Sequence, residues 1–284
     1  QQHRQRGRWQ TNGQLFKTLT KNSEEYMKHF VMTISDKGGS GKSVVARLLA
    51  DFYAASDAAP TLVDGDGEVG QLLKFYGKRD ASGKLSGVQK PGDGVLAFAL
   101  HGGKTDREKI ATVLDHGSEL VLCDFPAAGL TVLEQTQDAF GFLDDIKSEG
   151  YKPVFVNPIT PFAASMRTVK RMTQLGGPDS EYIVFRNEQF TEGDEDWIVW
   201  NGAEDGSIKP SSGKKVLADV GGIELDLPRL RSGAMALIDE FSLTFEAACG
   251  DQRMPRYHRK YVQLWRKACY ERLDSIKTRL GIGG

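Results

Sequence analysis

The chain has 284 residues, 39% of them hydrophobic and 26% charged, with a formal net charge of −1 at pH 7. That balance suits a globular protein with a sizeable core, and no run approaches the roughly 18–20 apolar residues of a membrane span. Near-neutrality does not announce a nucleic-acid partner, and three scattered cysteines (Cys123, Cys249, Cys269) suit neither a disulfide framework nor a zinc site, so a reducing cytoplasm is the expected compartment.

Residues 1–26 are polar, with Arg4, Arg6 and Arg8 among glutamines, and Met27 opens the first apolar stretch. They read as a flexible basic leader or as a basic arm for DNA or an acidic partner. Residues 29–35 (HFVMTIS) predict a buried strand. Residues 42–55 predict a helix, with Val45, Leu48, Leu49 and Phe52 at i, i+3, i+4, i+7. Residues 61–64 form a short strand, and the Gly-, Lys- and Asp-rich residues 78–94 form a surface excursion. Residues 119–124 (ELVLCD) predict a strand, 131–147 one helix, 152–157 a strand and 161–175 a helix. Residues 181–186 and 222–227 are further strands. This alternation predicts an α/β fold: a mostly parallel twisted sheet with helices on both faces.

The strongest chemical signal lies between the first strand and the first helix: Asp36, Lys37, Gly38, Gly39, Ser40, Gly41, Lys42, Ser43, followed by Val44. Glycines let successive backbone amides turn inward onto phosphate oxygens, and the helix N-terminus adds its partial positive charge. Lys42 can reach the terminal phosphates, and the Ser43 hydroxyl can bind Mg²⁺. Asp36 stands where the common phosphate loop has its first glycine, and a second lysine, Lys37, follows it.

This Lys-Gly-Gly-x-Gly-Lys-Ser form resembles the deviant Walker A loop of the ParA/MinD family of ATPases. The resemblance implies ATP and Mg²⁺ as cofactors and a nucleotide-dependent homodimer, in which Lys37 reaches the partner's phosphates. It makes Lys37 and Asp66 the catalytic residues, with Asp66 orienting the attacking water. The Asp64, Gly65, Asp66 segment resembles the family's second motif. Asp124, at the end of an apolar strand that runs on through Phe125, Pro126, Ala127, Ala128 and Gly129, resembles its Walker B acid. Ser43, Asp64 and Asp124 then form the metal set. Residues 37–44 contact the nucleotide, and Asn187, at the end of a strand, reads the base. Leu225, Asp226, Leu227 and Pro228 resemble the loop that closes over the base. The resemblance spans residues 29–245 and is diffuse after Asn187.

The resulting division is a basic leader (1–26), an ATPase domain (27–250) with an acidic insertion at about 188–212, and a basic C-terminal helix (251–284). Residues 188–205 carry acids but no Lys or Arg, with Trp197 and Trp200 inside. They read as a solvated insertion with a hairpin, or as a docking surface for a basic activator. In the last segment Val262, Trp265, Cys269, Leu273, Ile276 and Leu280 form one stripe, flanked by Arg259, Lys260, Arg266, Lys267, Arg272, Lys277 and Arg279. That helix packs on the domain, contacts DNA nonspecifically or lies on a membrane, with DNA ranked above membrane. The expected function is an ATP-dependent dimerising switch that hydrolyses Mg·ATP slowly, in plasmid or DNA partitioning, positioning or transfer. A small-molecule kinase or ligase on the same scaffold and a nucleotide-gated binding module with negligible turnover are the alternatives.

Overall fold

The computed structural model describes residues 28–283, so the expectation of a basic leader lies outside the described residues. In chain order the elements are β1 (Lys28–Thr33), α1 (Lys42–Ala55), β2 (Thr61–Asp64), α2 (Gln71–Tyr76), β3 (Val95–Ala97) and α3 (Lys104–Glu108). Then come β4 (Leu120–Asp124), α4 (Gly129–Phe140), α5 (Phe142–Ser148), β5 (Tyr151–Ile159), α6 (Ala163–Gly176) and β6 (Glu181–Asn187). The last are α7 (Ile198–Asn201), α8 (Ser212–Asp219), β7 (Ile223–Leu227), α9 (Ser232–Glu240), α10 (Phe245–Ala248) and α11 (Arg256–Asp274). The strands form one all-parallel sheet in the order β3-β2-β4-β1-β5-β6-β7.

Parallel strands covered on both faces read as continuous apolar runs, and β1 is such a run. Phe30, Met32 and Ile34 join one core cluster with Leu133 of α4, Phe142 of α5 and Val169 of α6. Val31 joins the opposite cluster with Val45 and Leu48 of α1. Adjacent strands β1 and β4 therefore send their following helices to opposite faces. A crevice opens at their C-terminal ends, the usual ligand position in an open α/β sheet.

Several elements differ from expectation. The helix expected over 131–147 is two helices, because Gly141 takes φ +74°. Its amide donates to the Gln137 carbonyl at 2.8 Å, and its carbonyl accepts from the amides of Asp144 and Asp145, which starts the next helix. β5 runs past Asn157 to Ile159 and contains Pro153 and Pro158. Pro153 precedes the first residue paired with β6, and Pro158 lies beyond the last residue paired with β1, so the register leaves no ladder partner waiting for either missing N–H. Residues 78–94 form turns and bends with isolated bridges, and the excursion ends in the unexpected three-residue β3.

The hairpin expected in the acidic insertion is not formed. Single 3₁₀ turns at Glu188–Phe190 and Asp194–Trp197 lead into α7. Trp197 and Trp200 are both buried in the core. Residues three apart share a helical face but take opposite faces of a strand, so burying both rings selects the helical turn. The C-terminal stripe is docked: Val262, Trp265, Cys269, Leu273, Ile276 and Leu280 are all buried in the cluster on the α1 face. Each large apolar side chain so buried stabilises the docking by about 1.5–3 kcal/mol. Among the described residues no helix is long and apolar enough to cross a membrane.

Candidate functional site: the phosphate loop and its neighbouring cavity

The loop between β1 and α1 is held from within and from both sides. Ser40 is buried, and its hydroxyl donates to Ser35 Oγ at 2.9 Å. Asn187 Nδ2, at the end of β6, donates to the Ser40 carbonyl at 2.8 Å. Gly41 takes φ +100°, and a Cβ there would fall 2.5 Å from Asn187 Nδ2, so only glycine fits both the turn and its clamp. With the carbonyl side engaged, the amide side is open. The backbone amides of Gly38, Gly39, Gly41, Lys42, Ser43 and Val44 donate to no acceptor among the described residues, and the first helical bond runs from the Val45 amide to the Gly41 carbonyl. Consecutive unengaged amides at a helix N-terminus form an anion cradle.

Side chains converge on the same mouth. Lys42 Nζ lies 2.8 Å from Asp124 Oδ1 and 3.4 Å from Ser43 Oγ. Thr33 Oγ1 donates to Asp124 Oδ1 at 2.6 Å. Asp124 is almost fully buried, so its charge depends on these partners. A hydroxyl and a carboxylate beside an open anion cradle fit Mg²⁺ held mainly by phosphates and water, with one or two protein oxygens nearby. Among the described residues no group of three His, Cys, Asp or Glu side chains could cage a metal ion.

Asp64 sits one strand beyond, in register with Asp124. Both its oxygens are engaged by backbone amides: Oδ1 accepts from the Asp66 amide at 3.1 Å and Oδ2 from the Leu73 amide at 3.0 Å. Asp64 thus caps α2 from a distance and shapes the turn that carries Asp66. A Cβ at Gly70 would fall 1.8 Å from Asp64 Oδ1, which explains the glycine there. Burial first, and then the neighbouring Asp124 charge, push the Asp64 carboxyl up to about 6. Asp66 is half-buried, and no hydrogen bond engages its carboxylate among the described residues. Lys37 is exposed, and its ammonium meets no acceptor among the described residues. Asn187 does lie at the loop, but its amide already has partners. Besides donating to Ser40, its oxygen accepts from the Gln189 amide at 3.0 Å.

Sequence reading missed the role of Asp36. Its Oδ1 accepts from the amides of Leu130 (3.0 Å) and Thr131 (3.2 Å), the first turn of α4, and its Oδ2 pairs with Arg171 of α6. Arg171 also pairs with Glu134. The residue in place of the loop's first glycine therefore ties the loop to the segment that follows Asp124. The signal was available as an acid where glycine is usual, but its partners are 94 and 135 residues away.

Beside the loop lies a cavity of about 450 Å³, walled by Val44, Leu227, Pro228, Leu230, Met235 and Trp265, with Asn187 at its loop end. A mostly apolar pocket with a few polar groups is the ordinary form of a small-molecule site.

No protein-family model and no curated protein matches the chain. Among solved structures it is similar to a nucleotide-binding protein in complex with ADP from Archaeoglobus fulgidus, at 18% identity and a TM-score of 0.41, covering 75% of this chain and 86% of that one. It is also similar to the septum site-determining protein MinD complexed with Mg-ADP from Pyrococcus horikoshii OT3, at 15% identity and a TM-score of 0.43, covering 88% of this chain and 98% of that one. Likenesses this distant concern the course of the chain; the chemistry rests on the residues above.

Proposed function

We propose that the chain is a nucleotide-dependent switch of the ParA/MinD type, which binds Mg·ATP at the loop 37–44, forms a dimer in that state and hydrolyses the nucleotide slowly. The observation that carries this reading is the open row of amides from Gly38 to Val44, with Lys42, Ser43 and Asp124 converging on it. The amides and the α1 N-terminus hold the phosphate chain. Lys42, now on Asp124, would pair with the terminal phosphates. Ser43 and Asp124 would hold Mg²⁺, which would neutralise charge on the phosphate oxygens. The free carboxylate of Asp66 accepts from the attacking water and keeps it in line with the terminal phosphate. Asp64 supports this by shaping the Asp66 turn.

Lys37 has no partner of its own among the described residues, at the rim of the cradle. In this reading it reaches the terminal phosphate bound by a second copy, which ties dimer formation to the triphosphate. Calorimetric titration with Mg·ATP should give one site per chain, and sedimentation should give a dimer with ATP and a monomer with ADP. Absence of ATP binding to folded protein would remove the reading, and ATP binding without any change in mass would remove its dimer.

A further inference from the structure

The cavity beside the loop is not built from the sheet and its crossover helices alone. One wall is Trp265, from the middle of α11. The indole is 4% exposed and packs on Phe245 with ring centroids 4.7 Å apart. Its Nε1 donates to the Pro228 carbonyl at 2.7 Å. Pro228 begins the connection from β7 to α9, and Leu227, Pro228 and Leu230 of that stretch form the adjoining wall. Pro228 is half-buried, and the indole is the one donor to its carbonyl among the described residues, so the bond holds the loop in place. The next residue, Arg266, engages α1 from the same helix: its Nε lies 2.6 Å from Asp51 Oδ2, and the Tyr270 hydroxyl reaches the same oxygen at 2.6 Å. Successive residues of α11 therefore grip both the loop that walls the cavity and the helix that begins at Lys42.

Resting on the nucleotide reading above, we infer that Trp265 is a positioning residue for the nucleoside end of the ligand. It fixes the 227–230 wall through Pro228 and supplies apolar surface itself, so the C-terminal helix is part of the binding site. The phosphate end is gripped by the loop amides and Lys42, which Trp265 does not touch. The two ends can therefore be read separately.

The experiment compares Mg·ATP with Mg·tripolyphosphate, which carries the phosphate chain but no nucleoside, by calorimetry on wild type and Trp265→Phe. The substitution keeps an aromatic wall and removes the Nε1 donor. ATP affinity should fall about fivefold to tenfold with tripolyphosphate affinity unchanged, the size of one hydrogen bond. Equal losses for both ligands, or no loss for ATP, overturn the inference. A wild type that binds tripolyphosphate and ATP equally well also overturns it while leaving the phosphate loop standing; a wild type that binds neither overturns the nucleotide reading and the inference with it. A second measurement needs no substitution in the protein that is read. In full-length chain labelled with 5-fluorotryptophan, the Trp265 ¹⁹F resonance should move with ATP and stay in place with tripolyphosphate. Movement with both ligands, or with neither, contradicts the inference.

Discussion

The loop at residues 36–44 and the charged chain from β6 onward both stand out as sequence, yet the structure treats their polar groups in opposite ways. In the loop, donors are left open: the amides from Gly38 to Val44 and the Lys37 ammonium have no acceptor among the described residues. From β6 onward, several charges are engaged inside the fold. Arg266 is held by Asp51, Arg279 by Glu181, and Arg186 by Asp226 and Glu224. Glu224 also accepts from Trp200 Nε1. Charge density on a sequence marks neither region as a binding site; what separates them is whether a partner already exists within the chain. Arg266, expected among the flanking cations of the basic helix, is for that reason not free for a polyanion.

Lys37 should show the largest effect. If its open ammonium serves a second copy, Lys37→Ala should bind ATP within about twofold of wild type yet lose ATP-dependent dimers, and turnover should drop about a thousandfold, the scale of a cation supplied in trans. A normal mutant dimer in sedimentation would return Lys37 to the status of a solvated side chain. Lys42→Ala should weaken ATP binding by more than about 100-fold through loss of a charge-assisted contact to the phosphates. Unchanged affinity would contradict the loop assignment.

The engaged region should respond in stability rather than in ligand binding. Asp51→Ala leaves Arg266, the Tyr270 hydroxyl and the Glu246 amide without their shared acceptor. Because Arg266 is partly exposed, the loss should be about 2–3 kcal/mol, below the full cost of a buried unpaired charge, and denaturant melts would show it. A variant as stable as wild type would mean that the C-terminal helix is only loosely attached.

Asp64 offers a smaller, pH-dependent test. Its carboxyl is raised to about 6 in the folded chain from 3.8, so between those values the folded state holds the proton more tightly than the unfolded one. Stability from this group is therefore present at low pH and lost as pH rises through about 6. Between pH 7 and pH 4.5, wild type should gain about 1–2 kcal/mol relative to Asp64→Asn in the absence of nucleotide. A pH-independent difference, or one of opposite sign, would show that burial beside Asp124 does not raise the Asp64 carboxyl. The weakest expected effect is on DNA. Lys260 and Lys267, exposed on α11, are the cations to reverse rather than Arg266. If they form a DNA face, the double charge reversal should lower retention in a salt-dependent filter assay by a few fold. Equal retention leaves the helix its packing role.

How much could be read from sequence follows from the range of the determining contacts. α1 was legible to the residue because Val45, Leu48, Leu49 and Phe52 follow the helical period and Gly41 starts the helix. The loop was legible because its chemistry is local. The break at Gly141 was hidden because one glycine within an apolar helical pattern does not by itself reveal a positive φ. The insertion's turns were hidden because only the core shows that both tryptophans share a face. Asp64 could be recognised as an acid near the site, but not as the cap of α2, since that depends on where Leu73 folds back. Asp36 and Trp265 act through Arg171 and Pro228, partners far away in sequence.

Hydrogen exchange with and without saturating Mg·ATP reads out whether the open amides of the loop grip the phosphates. Exchange at the amides of Gly38, Gly39, Gly41, Lys42, Ser43 and Val44 should slow sharply on binding as each gains an acceptor. Unchanged exchange at those amides in protein that demonstrably binds ATP would place the phosphates elsewhere.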